Sequence, residues 1–326
     1  MCRSLWVPSR RGRSATGARP AREEGRLILS IVVTGATGRL GRLTVEALLR
    51  RRIPAADIIA TGRDISRIKD LADRGVTARR ADFADPDSLA DAFAGADRLL
   101  LISASVPVTE RVANHRRAID AAVAAGVSLM AYTSTTHADT AATIIGAAHG
   151  ETEKYLRDRG IPSVLLRNGW YLENYTAQLP QILQNGAVIG AAGEGRISAA
   201  SRADYAEAAA VVLTTEGHTG AVYELGGDES FTLTELAAAI SAAAGKEIAY
   251  AHLPVTEFAR ALAAAGLPAE LAEVLADADL GMSRGEMYTD SGDLRRLIGR
   301  RLVTLAEALV PAVQTAIGTA EQRSTS

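Results

Sequence analysis

Leu27-Ile-Leu-Ser-Ile-Val-Val-Thr34 runs straight into Gly35-Ala-Thr-Gly38-Arg-Leu-Gly41, and a segment of helical period follows. An apolar run of strand length that turns through spaced glycines into a helix brings backbone N–H groups and a positive helix terminus against a pyrophosphate. Missing side chains let the phosphates approach the chain. In a chain with 29 glycines the spacing G-x-x-G-x-x-G carries little by itself. Its place between a strand and a helix, at the head of a βαβ series, makes it a predicted dinucleotide-binding turn.

Outward from this turn, strand-length apolar runs at 27–34, 58–61, 77–80, 98–103, 128–133, 163–167 and 220–224 alternate with helix-period segments at 40–52, 65–74, 86–93, 110–125 and 151–158. The alternation predicts an α/β fold, a doubly wound parallel sheet of Rossmann type with helices on both faces. After residue 167 it weakens. Glycine-rich turns at 190–195, a helix from Asp204, the capping box Thr232-Leu-Thr-Glu235 and an Ala/Leu-rich stretch at 256–278 predict a smaller C-terminal α/β lobe that takes the substrate. The expected division is a disordered Arg-rich tail at 1–26, a nucleotide-binding core at 27–167 and a lobe at 168–326, of which about 204–228 returns to the core.

The 326 residues are 48% hydrophobic and 23% charged, enough to bury a large core. No run approaches the roughly 18 apolar residues of a membrane-spanning helix, so no membrane partner is expected. The single cysteine, Cys2, excludes an intramolecular disulfide and a cysteine-rich metal site. A reducing cytoplasm is the default. Residues 1–26 hold seven arginines and two glutamates, which leaves the rest of the chain net acidic and argues against nucleic acid as a partner. The basic leader also fits an organellar targeting peptide or an over-extended translation start. A homodimer stays open.

The second strand should end beside the adenosine ribose, and here it ends Ala60-Thr61-Gly62-Arg63. The guanidinium fork of Arg63 suits a 2′-phosphate, with Gly62 leaving room, so NADP(H) is expected ahead of NAD(H). Arg39, in the glycine turn, flanks the same phosphate, while Asp64 keeps NAD open. Asp82 is placed either to accept from the adenine amino group or to cap the next helix. Ser103, Ala104 and Ser105 end the fourth strand with side chains small enough for a ribose to lie against.

The run Thr34 to Gly41, Asp82-Phe83, Leu99-Leu-Leu-Ile-Ser103, Tyr132-Thr-Ser134, His137-Ala-Asp139, His149 through Lys154, and Leu166-Arg-Asn-Gly-Trp-Tyr171 with Glu173-Asn-Tyr175 resembles the NmrA-like atypical short-chain dehydrogenases. Within these the chain is most similar to the FMN-independent type 2 NAD(P)H:quinone oxidoreductases. The likeness runs from Ile31 to about Val313, and the segment from Leu166 to Tyr175 is its most specific part. It implies that Gly35, Ala36, Thr37, Gly38, Arg39 and Leu40, with Gly41 closing the motif, hold the pyrophosphate. Arg63 would take the 2′-phosphate, and Ser103 to Ser105 the adenosine side. Asn168, Gly169, Trp170, Tyr171, Leu172 and Glu173 would line a quinone pocket that Arg202 also reaches.

Short-chain dehydrogenases use Tyr-x-x-x-Lys, in which the lysine lowers the tyrosine pKa so that the phenol exchanges a proton with the substrate oxygen. Here that tyrosine is missing. Four residues before Lys154, Lys69 and Lys246, the three lysines of the chain, stand Gly150, Ile65 and Ala242. Lys154 remains a candidate for the nicotinamide ribose. Reducing a ketone builds an alkoxide that needs a proton donor, whereas a reduced quinone delocalises its charge, so orientation becomes the main task. Direct hydride transfer to a quinone, without FMN or FAD and without a metal, is therefore the expected reaction. The alternative is a non-catalytic NADP(H)-binding redox sensor.

Trp170, Tyr171 and Tyr175 cluster in a chain with 4% aromatics, which predicts flat walls for a flat ligand or, equally, core packing. Gly169 between them argues for a kept cavity. Asn168 and Asn174 are candidate donors to a quinone oxygen. His137 and His149 lack metal-ligand spacing; each reads as a loop-fixing residue or as a proton donor to the reduced quinone, with His137 the named catalytic candidate beside Lys154. Ser134 stands where a substrate-binding serine is placed in classical relatives.

Overall fold

A computed structural model describes residues 29–104 and 106–324. The tail expected at 1–26 and the candidate Ser105 lie outside the described residues. Along the first half of the chain β1 (Ile31–Val33), α1 (Arg39–Arg50), β2 (Ile58–Gly62), α2 (Lys69–Asp73), β3 (Thr77–Arg80), α3 (Pro86–Phe93), β4 (Arg98–Leu101), α4 (Val108–Ala124), β5 (Leu129–Thr135), α5 (Ile144–Arg159) and β6 (Ser163–Asn168) alternate. Then follow α6 (Leu172–Thr176), α7 (Leu179–Asn185), β7 (Ala187–Gly190), α8 (Arg202–Thr214), β8 (Val222–Leu225), α9 (Leu233–Ala244), β9 (Ala249–His252), α10 (Val255–Ala264), α11 (Ala269–Ser283), α12 (Asp293–Ile298) and α13 (Leu305–Ser324).

Seven strands form one sheet in the order β3-β2-β1-β4-β5-β6-β8, and every pair is parallel. Strands with helices on both faces are apolar on both faces, and β1, β2, β4 and β5 are buried throughout. On one side α1, α8 and α12 cover Ile31, Val33, Leu100 and Leu166; on the other α3, α4 and α5 cover Val32, Leu99, Leu101 and Tyr132. The chain reverses its direction of sheet growth between β1 and β4, the switch point where open α/β sheets bind ligands. The second apolar cluster, built on Leu172, Tyr175, Leu236, Ile240 and Val313, belongs to the helices beyond β6, with β7 and β9 as a separate parallel pair.

The three motif glycines answer three different demands. Gly35 takes φ +62, a left-handed conformation that side chains disfavour. At Gly41 a Cβ would stand 2.3 Å from the Gly35 carbonyl oxygen, so only glycine lets α1 lie on the turn. Gly38 begins α1 without a side-chain cap, which leaves the first helical amides free.

Boundaries differ from the expected ones where glycine and aspartate chemistry intervenes. The helix expected at 65–74 is a 3-10 turn, Ile65–Ile68, capped by Asp64, followed by the short α2. Instead of 151–158, α5 begins at Ile144, capped by Thr143, because Gly146 and Gly150 pack rather than break it. A Cβ on Gly146 would meet Ala141 Cβ at 2.5 Å, and one on Gly150 would meet the Ala138 carbonyl oxygen at 2.5 Å. The Ala/Leu-rich stretch at 256–278 is two helices, α10 and α11, parted at Gly266, which has φ +98, and at Pro268.

Gly41→Ala is expected to lower the unfolding free energy by about 1–3 kcal/mol through overpacking. Gly38→Ala should cost less, since its Cβ would stand 3.2 Å from the same carbonyl oxygen. Thermal denaturation of the two variants checks the order; equal losses would contradict the packing argument.

Candidate active site

A cleft of about 630 Å³ runs along the C-terminal ends of the strands. Its floor is pinned by side chains. Thr34 Oγ1 donates to the Leu100 carbonyl at 3.0 Å and accepts the Ile102 amide at 2.9 Å, which ties β1 to β4. The Ser103 amide donates to Thr133 Oγ1 at 2.9 Å and the Ala104 amide to His115 Nε2 at 3.0 Å. Gly35, Thr37, Gly38, Arg39, Leu40 and Gly41 line the middle of the cleft, and the uncapped amides of α1 face a group placed there. Ala36 is buried beneath them, its amide bonded to the Thr61 carbonyl at 2.8 Å.

At the β2–β3 end the cleft is cationic. Arg63 is exposed and lines it, joined by Arg67, which the sequence reading missed because it lies one helical turn further on. Asp64, which kept NAD open, is turned to Ser66, whose hydroxyl and amide donate to it at 2.6 and 3.1 Å and hold its carboxyl below the usual range. Gly62 does not make room for a phosphate: its Cβ would lie 2.5 Å from Thr37 Cγ2, so the space it spares is used by Thr37. Asp82 lines the cleft and accepts the Ala84 amide at 3.0 Å, while the cap of α3 is Asp85.

The β6 end collects Asn168, Gly169, Trp170, Tyr171, Asn174 and Arg202. Asn168 Oδ1 is buried with no hydrogen-bond partner among the described residues, an acceptor that a carboxamide would satisfy. Arg202 lies 4.4 Å from the centre of the Tyr171 ring and donates to Asn174 Oδ1 at 2.7 Å, and burial lowers its pKa. The Arg202 amide donates to Glu173 Oε1 at 2.9 Å.

Several expected positions move. Leu172 packs into the second apolar cluster and does not line the cleft; Glu173 also stays outside the lining and positions Arg202. Tyr175 turns from the cleft and packs edge-on against Phe231, 5.8 Å between ring centres. Gly169 is needed for packing, not for an empty space: a Cβ would be 3.1 Å from the Leu225 and Ser198 carbonyl oxygens and from the Tyr205 hydroxyl.

Helix α5 brings the largest correction. Its buried face carries His149, Thr152, Glu153 and Leu156, which puts Lys154 on the exposed side and outside the cleft lining. Lys154 follows His149 by five residues, roughly 140° around a helix of about 100° per residue. His137, at φ +53, is also outside the lining; its Nε2–H donates to the Tyr288 carbonyl at 2.7 Å, which fixes a loop. Of the two candidate histidines it is His149 that lines the cleft, joined by Arg111 and Asn114 of α4, which carry no sequence motif. Ser134 lines it too, but its hydroxyl donates to Glu153 at 2.6 Å.

Beneath that face Arg167 donates to both oxygens of the fully buried Glu153, at 2.9 and 2.7 Å, and to Asp139 and Glu224 at 2.9 and 2.8 Å. Among the described residues no group of three His, Cys, Asp or Glu could hold a metal ion, and no helix is long and apolar enough to cross a membrane.

A glycine turn at the switch point, free helical amides and a cleft running to either side define a protein of the Rossmann dinucleotide-binding class. The NmrA-like family pattern matches residues 29–293, and the chain belongs to that family. It is 49% identical over 279 residues to quinone oxidoreductase 2 of Escherichia coli K12, covering 86% of this chain and 97% of that one. The structure of NADPH-dependent quinone oxidoreductase from E. coli, complexed with NADPH, superposes with a TM-score of 0.83 over 86% of this chain and 98% of that one. Triphenylmethane reductase of Citrobacter sp., complexed with NADP(H), is 36% identical with a TM-score of 0.82, over 87% and 100% of the two chains.

Arg167→Met should destabilise the fold by about 3–5 kcal/mol, because it leaves Glu153 buried without its partner. Adding Glu153→Gln should restore part of the loss while keeping an acceptor for Ser134. Urea unfolding of the single and double variants reads both effects.

Proposed function

We propose that this chain is an NADPH-dependent quinone oxidoreductase that acts without flavin. One observation carries the reading: a single cleft joins a pyrophosphate-binding turn and an exposed arginine at the end of β2 to a planar-walled end at β6. The similarity to quinone oxidoreductase 2 supports it over the sensor alternative.

Bound NADPH supplies a hydride from C4 of its dihydronicotinamide to the quinone. The first amides of α1 bind the pyrophosphate, with Arg39 lining the same stretch of the cleft. Arg63 and Arg67 hold the 2′-phosphate, and Asp82 takes the adenine amino group. Ser103 and Ala104, fixed from below, let the ribose lie close. Asn168 accepts from the carboxamide and so orients the reacting face. Trp170 and Tyr171 wall the quinone, with Arg202 holding the Tyr171 ring in place, so the residues mainly align the two rings. The cytoplasm, reducing and supplied with NADPH, suits such an enzyme.

The test follows NADPH absorbance with benzoquinones and naphthoquinones. Turnover well above the uncatalysed rate is expected; tight NADPH binding without turnover would leave the sensor reading in its place. Arg63→Ala should weaken NADPH by about 10- to 100-fold, the loss of a charged hydrogen bond, and leave NADH nearly unchanged. Fluorescence titration with both cofactors measures this, and equal losses would remove the argument for a 2′-phosphate site.

A further inference from the structure

Arg111 of α4, which no motif announces, and His149 of α5, a candidate proton donor in the sequence, meet the cleft from helices packed side by side on one face of the sheet. Arg111 is half-buried, and its Nε has no hydrogen-bond partner among the described residues. A desolvated guanidinium without its full complement of acceptors favours an anion.

The proton of His149 can be placed from its neighbours. The Ala104 amide donates to His115 Nε2 at 3.0 Å, so the His115 proton is on Nδ1, where Thr152 Oγ1 accepts it at 2.9 Å. Thr152 in turn donates to the Ala148 carbonyl at 2.9 Å. His115 therefore has no lone pair left for Tyr132, whose hydroxyl lies 3.4 Å from His115 Nδ1 and 2.7 Å from His149 Nδ1, and we place the phenol proton in the shorter contact, to His149. With Nδ1 accepting, the proton of neutral His149 is on Nε2. Burial, then Arg111, then His115 hold the His149 pKa well below the usual value, and burial raises that of Tyr132. Both groups stay neutral at physiological pH.

We propose that Arg111 and the Nε2–H of His149 form an anion-holding site for the oxygen of the reduced acceptor. The proposal rests on the quinone reading. A hydride adds one proton and two electrons to a neutral quinone and gives the hydroquinone monoanion. The two donors hold its charged oxygen, solvent supplies the second proton, and neutral hydroquinone leaves. The role differs from that of the missing Tyr-x-x-x-Lys acid: His149 stabilises the charge without giving up its proton, as an oxyanion-hole donor does.

Three measurements test it. Loss of one such donor costs about 100- to 1,000-fold in kcat in water-excluded sites. Arg111→Met and His149→Leu should each lose a large part of that range in quinone turnover, with the NADPH dissociation constant unchanged. His149→Gln, whose amide nitrogen replaces Nε2, should recover much of it. Nitrogen-15 NMR of the ligand-free protein should show His149 as the Nε2–H tautomer, and Tyr132→Phe should mix the tautomers. Last, 4-nitrophenol titrated into the NADPH-loaded protein should bind at least about tenfold more tightly as its coloured anion than as the phenol, a preference lost in Arg111→Met.

Turnover by the wild type together with variants that turn over equally well, or binding of the neutral phenol, would overturn the anion site and leave the quinone reading intact. Weakened NADPH binding in Arg111→Met would assign that arginine to the cofactor and also overturn it. A wild type that binds nitrophenolate but reduces no quinone would instead sink the functional reading.

Discussion

Arg167 brings a positive charge into the protein interior, and the arrangement around the cleft depends on how that charge is neutralised. A buried guanidinium and a buried carboxylate are each costly alone, and removing one partner leaves the other uncompensated. Glu153 of α5, Asp139 of the loop after β5 and Glu224 of β8 all turn toward this one residue of β6. The pairing sets the rotation of α5. With Glu153 inward, His149 faces the cleft and Lys154 faces solvent. The anchoring of the helix thus keeps Lys154 out of the cleft. Ser134, which donates to the same carboxylate, is drawn into the anchor.

The two ends of the cleft are built by different means. At the glycine-turn end the backbone shapes the cleft, with Gly35 serving by conformation, Gly41 by close approach, and the Thr34 and Thr133 side chains by fixing the strand ends. At the β6 end side chains hold one another. Glu173 and Asn174 fix Arg202, Arg202 covers Tyr171, and Tyr205 meets Tyr171 edge-on with ring centres 5.4 Å apart. These contacts give that wall of the cleft a single arrangement.

Most of the cleft lining at the glycine-turn end was legible in the chain, because local rules govern it. The glycine turn, Arg63 and the strand ends follow from spacing and residue type. The β6 end was legible only as a cluster of aromatics and asparagines. Periodicity did not show that Tyr175 points into the C-terminal core while Tyr171 faces the cleft, or that Gly169 is filled from the other side by Tyr205. Arg67 and Arg111 carry no motif, and His149 was legible only as one of two candidate histidines. A helix start at residue 144 would have exposed His149 as a buried-face residue, but the helix-period segment in the sequence begins only at 151, and the neighbours that need Gly146 and Gly150 small are visible only in the fold.

By itself the sequence determined the alternation of strands and helices, the parallel sheet and the glycine turn between β1 and α1, since these rest on contacts between residues near one another along the chain. Tertiary structure alone decided which face of α5 is buried, which histidine reaches the cleft and what Gly62 and Gly169 make room for. Those outcomes depend on charges and backbone atoms separated by 14 to 57 residues, such as Arg167 with Glu153 and with Glu224. No local pattern encodes a pairing that exists only once the sheet has brought its members together.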